Sequence, residues 1–392
     1  MIERVDEIAA ALGRGPEPSE EGRDRAARVA WSCLIEPGDR IAGALVRARG
    51  AAEAWEIAAR EPRPAELGAL AGVDPSEARA ALERWRPRRS GGAIDDAVRR
   101  ARRNDVTVVT PHDALWPTAL DDLGDHAPIC LWARGDVSRL GVPSPSVAVV
   151  GARAATSYGE HVAAELAAGL AHVGIAVVSG AAYGIDGAAH RASLAAGGTT
   201  FAFLAGGCDR SYPSGHADLL DRIAAAGVVV SEVPCGAAPT KWRFLQRNRL
   251  IAAVSGATVV VEAGLRSGSL NTAGHAAALG RPIGAVPGPV TSAASAGTHR
   301  LLREFDAVCV TNVAEVRELV GDGSDAPRLA PDGASSDRTR VLDALSERAD
   351  RSVDRIAAQS GMSVPDVEAV LGGLLLEGRV EPTGEGWRRR RA

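Results

Sequence analysis

Short apolar segments alternate with longer helical stretches from about Val106 to Val310. Each segment is rich in β-branched residues and is bounded by glycine, serine or proline, which is typical of a buried strand. The clearest are Val147–Val150, Ile175–Val178, Thr200–Leu204, Val228–Ser231, Thr258–Val261, Pro282–Val286 and Ala307–Val310. This alternation predicts an α/β fold with a doubly wound parallel sheet, covered by helices on both faces. Val106–Thr110 and Ile129–Ala133 add two strands before that sheet.

The region before the sheet has a different pattern. Residues 1–89 are rich in alanine, carry apolar positions at helical spacing, and turn at Pro37-Gly38 and Gly72–Pro75. This predicts a helical N-terminal domain that resembles a SAM or helix-hairpin-helix bundle, although the second turn offers only one glycine for a hairpin. The sheet domain is expected to span residues 90–320.

The C-terminal region predicts a linker and a third domain. Residues 321–336 are rich in Asp, Pro, Gly and Ser, which predicts a flexible linker. Residues 337–392 predict three helices and a hairpin, the order of a winged helix, followed by a basic tail. The predicted elements are Thr339–Glu347, Val353–Ser360, Pro365–Glu377 and the turn Thr383–Gly386. The third helix has no basic residue, so we interpret this domain as a protein-contact module.

Composition and charge narrow the classes of protein. The chain has 392 residues, of which 24% are charged and 46% hydrophobic, as expected for a folded protein of two or three domains. Its net charge of −4 means that binding to a polyanion requires a local basic patch. Five dispersed cysteines without a C-x-x-C favour reduced thiols in the cytoplasm. Neither a signal peptide nor a membrane-spanning apolar stretch is expected.

The single lysine of the chain marks a candidate binding segment. Of the 45 basic residues, only Lys241 is lysine, and it begins the segment Lys-Trp-Arg-Phe-Leu-Gln-Arg-Asn-Arg, residues 241–249. Its three arginines alternate with Trp242 and Phe244, and no acidic residue interrupts it. Cations beside exposed aromatic rings suit a nucleic acid strand, which offers phosphates and base faces. The alternative is a basic start to a helix with both rings buried in the core.

Three turns rich in small residues follow predicted strands. The first contains Gly151-Ala-Arg153, where a dinucleotide fingerprint requires glycine in place of Arg153, so NAD is disfavoured and a bound anion is favoured. The second runs from Ser179 to Asp186, which is expected to cap the next helix. The third is the run 267–272, which also opens a helix. Three anion-binding turns on one sheet edge suit a strand with many phosphates better than one nucleotide.

Ordered motifs across residues 105–310 resemble the DNA-processing protein A family, also called DprA or Smf. The blocks are Val-Val-Gly-Ala-Arg…Tyr-Gly (149–159), Val-Val-Ser-Gly-Ala-Ala-Tyr-Gly-Ile-Asp (177–186), Leu-Ala-Gly-Gly-Cys-Asp-Arg-Ser-Tyr-Pro (204–213), Val-Ser-Glu-Val-Pro (230–234), Phe-Leu-Gln-Arg-Asn-Arg (244–249), Ser-Gly-Ser-Leu-Asn-Thr (267–272) and Ala-Val-Pro-Gly (285–288). Trp116 stands where the family usually has tyrosine, and Ala181 and Asn271 replace larger apolar residues.

The resemblance implies an extended Rossmann domain that binds single-stranded DNA, without catalysis or cofactor, and helps to load RecA recombinase. The strand-binding arginine of the family falls on Arg153, and its Lys-x-x-Phe pair falls on Lys241 and Phe244. A homodimer through this domain is also implied, and apolar residues within Gly297–Val310 offer a surface for it. With the turns, the predicted nucleic-acid-binding residues are Gly151, Arg153, Ser179, Gly180, Lys241, Phe244, Arg247, Asn248, Ser267, Gly268 and Ser269.

Other polar residues have plainer interpretations. Asp186 and His190 have the i, i+4 spacing of metal ligands, but no third ligand is near in sequence, so no metal is expected. Glu232 and Glu262 each follow a strand and are expected to anchor loops through backbone N–H groups.

Two rival functions stay open at this stage. One is a nucleotide phosphoribohydrolase on the same scaffold, whose motif P-G-G-x-G-T-x-x-E is only partly matched by Val286–Thr291. The other is a scaffold with a vestigial pocket, which Arg153 and Lys241 argue against.

Overall fold

The computed structural model of the chain describes Val5, Ile8 and residues 19–89, 92–141, 145–321 and 333–390. These residues belong to two compact units, Met1–Gly323 and Ser324–Ala392. Residues 322–332, which make up most of the predicted linker, lie outside the described residues.

The first unit begins with helices, as predicted. They are α1 (Glu20–Leu34), α2 (Arg40–Arg49), α3 (Ala51–Ala59), α4 (Pro64–Ala71), α5 (Pro75–Trp85) and α6 (Ala93–Arg103). Trp31 holds them together, since its ring meets those of Trp55 and Trp85 edge-on at 5.7 and 5.3 Å. The turn before α5 is fixed by Asp74 and Glu77, whose side chains form a reciprocal capping box.

Among the described residues of this unit, nine strands form one sheet. They are β1 (Val106–Val109), β2 (Leu131–Gly135), β3 (Ser146–Val150), β4 (Ala176–Ser179), β5 (Thr200–Leu204), β6 (Val228–Ser231), β7 (Ala257–Val260), β8 (Ile283–Ala285) and β9 (Val308–Cys309). Their order is β1-β2-β6-β5-β4-β3-β7-β8-β9. The strands from β3 to β9 are parallel, and β1 and β2 extend the sheet in antiparallel pairing beside β6.

Helices cover both faces of this sheet, which confirms the predicted α/β class. They are α7 (Ser157–His172), α8 (Ile185–Ala195), α9 (Ala217–Ala226), α10 (Lys241–Val254), α11 (Ser269–Ala278), α12 (Ala296–Glu304) and α13 (Val313–Leu319). The chain runs outward from β3 to β6 and then returns to β7 on the other side of β3. This reversal leaves a crevice at the carboxyl ends of β3 and β7, where doubly wound folds bind ligands.

The N-terminal helices share a hydrophobic core with the sheet. Trp132 on β2 and Leu204 on β5 belong to the same buried cluster as Trp31 and Trp85. The Trp132 indole also donates a hydrogen bond to Ser32 Oγ at 3.3 Å. Helices and sheet therefore form one packed body within the first unit.

The second unit has the predicted order of three helices and a hairpin. Its elements are α14 (Gly333–Ala344), α15 (Val353–Ser360), α16 (Val364–Leu376), β10 (Val380–Thr383) and β11 (Gly386–Arg389). Val341, Ile356 and Leu371 lie in its core, whereas Leu376 is almost fully exposed. Arg388 pairs with Asp350 at 2.6 Å, so the basic C-terminal run begins within the hairpin.

Across the described residues of both units, no helix is long and apolar enough to cross a bilayer.

Candidate nucleic-acid-binding site

A pocket of about 590 Å³ lies at the carboxyl edge of the sheet, where the strand order reverses. The turns after β3 and β7 and the start of α10 form its walls. Nine of the eleven predicted residues line it: Gly151, Arg153, Lys241, Phe244, Arg247, Asn248, Ser267, Gly268 and Ser269. The structure thus brings residues from three distant parts of the sequence to one place.

The turn after β3 is shaped by close packing against the turn after β4. A Cβ at Gly151 would lie 2.5 Å from Ile185 Cγ1, and one at Gly184 would lie 2.3 Å from the carbonyl oxygen of Ala152. Glu262 fixes the far end of this turn, because its carboxylate accepts bonds from Thr156 N at 2.9 Å and Thr156 Oγ1 at 2.6 Å. Glu262 therefore anchors a loop, as the sequence predicted.

Arg153 stacks on Phe244 in the lining of the pocket, and Tyr212 contacts the Phe244 ring from the loop after β5. Cζ of the Arg153 guanidinium lies 4.5 Å from the centroid of the Phe244 ring. The centroid of the Tyr212 ring lies 5.6 Å from that of Phe244, at an interplanar angle of 53°. A guanidinium on an aromatic face occupies the place that a nucleobase takes when it stacks. A base that stacks on this face of Phe244 would replace the guanidinium and free it for a phosphate.

Lys241 begins α10 beside this stack. Its side chain is exposed, and no described carboxylate lies within 4 Å of its ammonium. Thr240 caps the helix by accepting a bond from Arg243 N at 3.3 Å, and the first turn contains no acidic residue. The positive end of the helix dipole therefore adds to the charge of Lys241.

The arginines of segment 241–249, which the sequence suggested as cations for a strand, form hydrogen bonds within the protein. Arg243 binds Glu36 on the loop after α1 at 2.9 and 2.7 Å. Arg249 is 3% exposed and forms a paired contact with Glu232, both distances being 2.7 Å. The sequence did not indicate the contact of Arg243 with Glu36, because the two residues are 207 positions apart.

Arg247 lines the pocket but is buried beneath it. It donates a bond from Nη1 to Phe203 O at 2.5 Å. Burial lowers the pKa of Arg247 to about 10, against the opposing effect of Asp186. Burial also raises the pKa of Asp186. A buried guanidinium held in this way shapes the floor of the pocket and adds positive potential, whereas Lys241 and Arg153 at the surface are accessible to a ligand.

Ser179 and Gly180 lie beneath the pocket and do not line it. The Ser179 side chain is fully buried and donates to Val149 O at 2.7 Å. A Cβ at Gly180 would lie 2.0 Å from Arg247 Nη1, so glycine makes room for the guanidinium. Both residues act through packing in this structure.

Asp186 does not cap α8, contrary to the prediction. The helix begins at Ile185 after Gly184, and the Asp186 carboxylate instead accepts bonds from Gly180 N and Ala182 N at 3.1 and 3.4 Å.

The turn after β7 presents the start of α11 to the pocket. Ser267 Oγ bonds Ser269 Oγ at 2.7 Å and accepts a bond from Ser269 N at 3.4 Å. Asn248 ties this turn to α10, because its Nδ2 donates to Gly268 O at 3.2 Å. Helix N-termini with hydroxyl side chains are favourable places for phosphate.

Two residues of the site were missed by the sequence reasoning. Arg266 is exposed, lines the pocket and has no carboxylate within 4 Å among the described residues. Its position just after β7 and before the Ser267 turn was the available signal. Tyr212 stands in the loop after β5, and no sequence pattern relates it to Phe244.

The remaining polar candidates serve the fold. Thr200 donates its hydroxyl hydrogen to Val177 O at 2.8 Å, so His190 Nδ1, at 2.7 Å from Thr200 Oγ1, must be the donor in their contact. Burial lowers the pKa of His190 to about 3, which keeps the ring neutral. Glu232 accepts a bond from Gly38 N at 3.2 Å in addition to its contact with Arg249, which confirms it as a loop anchor.

Comparison with known families gives two matches. Residues 107–321 match the family described as DNA recombination-mediator protein A. Residues 325–386 match the family described as the DprA winged helix domain. The two matches correspond to the sheet region and to the second unit.

Individual relatives are similar over most of the chain. A putative DNA processing protein DprA of Mycobacterium tuberculosis H37Rv is 46% identical over 382 residues, which cover 93% of this chain and 94% of that protein. Protein Smf of Escherichia coli K12 is 36% identical over 273 residues, or 67% of this chain and 72% of that protein.

Two solved structures are also similar. DNA processing protein A of Streptococcus pneumoniae has a TM-score of 0.60 and 30% identity, covering 75% of this chain and 97% of that one. DNA processing protein A of Helicobacter pylori, described for its single-stranded DNA binding mode, has a TM-score of 0.50 and 31% identity, covering 55% of this chain and 96% of that one.

Proposed function

This chain belongs to the DNA processing protein A (DprA/Smf) family, and we propose that it binds single-stranded DNA in the pocket at the β3–β7 crevice without catalysing a reaction. The observation that carries this proposal is the stack of Arg153 on Phe244 beside an unpaired Lys241. It puts a base-sized aromatic face next to two accessible cations. The binding mode described for the Helicobacter pylori relative supports the same ligand class.

Different groups of the pocket would bind the phosphates and the bases of a strand. Lys241, Arg153 and Arg266 provide accessible cations in the lining of the pocket, and the start of α11 provides backbone N–H groups. These groups hold phosphates and carry no sequence information. Phe244 provides the face for one base. Its half-buried ring is reached by an unpaired base but not by a base within a duplex, so the geometry favours single strands.

The finer role is a proposal that the family membership supports. We propose that the protein works in the cytoplasm, protects exposed or incoming strands and helps to load RecA recombinase onto them. The second unit suits a protein contact better than a DNA contact, because α16 (Val364–Leu376) has no basic residue and ends in exposed leucines.

We also propose a homodimer through the sheet region. β9 is an edge strand of the nine-stranded sheet; Val308 within it is 49% exposed, and Phe305 shortly before it is 37% exposed. Leu301, one of the apolar residues within Gly297–Val310, is instead buried in the core. The candidate surface within Gly297–Val310 is therefore smaller than the sequence suggested and centres on the strand edge.

Binding of the full chain to thymidine oligomers and to a duplex of equal length tests this proposal. We expect the single strand to bind more tightly, with an affinity that falls steeply as salt is raised, because phosphate contacts release counterions. Fluorescence anisotropy at several salt concentrations measures both quantities. Nucleoside monophosphates serve as a control for a nucleotide-processing enzyme. Equal affinity for duplex, or tight binding of a monophosphate with turnover, would contradict the proposal.

A further inference from the structure

We propose that the loop after β5 continues the strand-binding surface, with Tyr212 stacking the base next to the one on Phe244 and Arg210 holding its phosphate. This inference rests on the proposed function and extends it to two residues that do not line the pocket and were not among the predicted binding residues. Both side chains are exposed at the carboxyl edge of the sheet, on the β5 side of the pocket. The strand would therefore run from the α11 side across Phe244 towards β5.

The distance between the two rings supports adjacent stacking positions. Tyr212 is 47% exposed although it lies 5.6 Å from the Phe244 ring, so one part of it touches the stack and the rest faces solvent. The two rings are tilted by 53° to each other, so they contact one another without stacking face to face. Base-on-ring stacking requires only an exposed ring face and tolerates any base.

Arg210 supplies the charge that a second nucleotide needs. It lies two residues before Tyr212, is exposed, and has no carboxylate within 4 Å among the described residues. By contrast, the neighbouring Asp209 is turned inward, where its Oδ1 accepts a bond from Gly236 N at 2.8 Å and its side chain is 3% exposed. The one acidic residue of the loop thus does not face the proposed path of the strand.

The loop is anchored to the rest of the first unit by contacts at Gly207, Cys208 and Asp209. Cys208 Sγ lies 3.1 Å from Trp132 O in the core, and Gly207 N donates to Ala237 O at 2.9 Å. Arg100 on α6 also reaches Asp209, at 3.7 Å. A surface that is already ordered loses little conformational entropy on binding, so its contacts contribute to affinity.

A third ring lies against the same loop. Tyr183, in the turn after β4, is 48% exposed and meets the His216 ring edge-on at 4.8 Å. A Cβ at Gly215 would lie 2.7 Å from its hydroxyl oxygen, so this ring packs on the end of the loop that carries Tyr212. Exposed aromatic rings on adjacent turns, together with an exposed arginine, offer contacts for several consecutive nucleotides, whereas a single ring would contact only one base.

The test compares Tyr212→Ala, Tyr212→Phe and Arg210→Ala in the full chain, with thymidine oligomers of increasing length as the probe. Tyr212→Ala should weaken binding of long oligomers about tenfold, while the salt dependence stays the same, because one stack is lost. Tyr212→Phe keeps the ring and should bind normally. The gain in affinity on lengthening the oligomer should shrink in Tyr212→Ala, since the added nucleotide has no ring to meet.

Arg210→Ala should make the fall of log affinity with log salt shallower. The magnitude of the slope should decrease by about 0.7, the contribution of one phosphate on a single strand. Arg222→Ala, an exposed arginine on α9, is the matched control and should change nothing. If the wild type binds oligomers and both Tyr212→Ala and Arg210→Ala match it, the extension of the surface is wrong and the pocket stands. If the wild type binds no oligomer, the proposed function itself is wrong. A Tyr212→Phe variant as weak as Tyr212→Ala would also overturn the stacking role.

Discussion

Lys241→Glu is expected to weaken the binding of thymidine oligomers by more than about tenfold at low salt, whatever the base composition. The change removes one phosphate contact and places a carboxylate at the mouth of the pocket, beside the positive end of α10. The magnitude of the slope of log affinity against log salt should decrease by about 0.7 or more, because at least one fewer counterion is released. Titrations at several salt concentrations measure both effects, and Lys241→Arg, which keeps the charge, should bind nearly as well as the wild type.

Phe244→Ala is the matched comparison for that variant. Losing one base–aromatic stack should cost about 1–3 kcal/mol of binding free energy and leave the salt slope nearly unchanged. The two variants thus separate charge from stacking at one site. If Phe244→Ala unfolds the protein while Lys241→Glu binds normally, the segment is structural and the binding proposal for it is wrong.

Arg249→Met is expected to lower the free energy of unfolding of the first unit by about 3–5 kcal/mol, because it leaves the charge of Glu232 buried without its partner. Arg249 donates five hydrogen bonds, two to Glu232, two to His126 O and one to Gln246 O. Glu232 in turn holds Gly38 N, so the pair joins α10 to the N-terminal helices.

Urea denaturation followed by tryptophan emission measures this effect on the first unit, which contains six of the seven tryptophans. The double variant Arg249→Met/Glu232→Gln should recover part of the loss, since it removes the buried charge and keeps an acceptor for Gly38 N. Arg222→Ala, at the surface, should stay within about 0.5 kcal/mol of the wild type. An Arg249→Met protein as stable as Arg222→Ala would show that the buried pair contributes nothing.

The strands were predictable because each is a short apolar run that ends at a turn residue. All seven strands predicted for the parallel sheet are confirmed to within one residue at each end. The special position of Arg153 in the first turn could also be identified, because it stands where a dinucleotide fingerprint has glycine. Patterns of this kind depend only on a few neighbouring residues, so the sequence is sufficient to predict them.

Contacts between distant segments were not predictable in the same way. Arg243 and Glu36 meet only once the N-terminal helices pack on the sheet, so a row of arginines that looked available is largely engaged. Ser179 looked like part of an anion-binding turn but points into the core, because its strand is buried on both faces. Tyr212 reaches Phe244 only through the fold of the β5 loop.

Photocrosslinking of the full chain to a thymidine oligomer that carries iododeoxyuridine tests the central claim most directly. A base stacked on an aromatic side chain crosslinks to it, and trypsin cleavage after Arg243 and Arg247 isolates Phe244 in a four-residue peptide. We predict that the peptide Phe244–Arg247 carries the adduct and that excess unlabelled oligomer abolishes it. Adducts confined to other regions, such as the peptide with Trp387 in the second unit, with Phe244–Arg247 unmodified, would contradict the proposed strand-binding pocket.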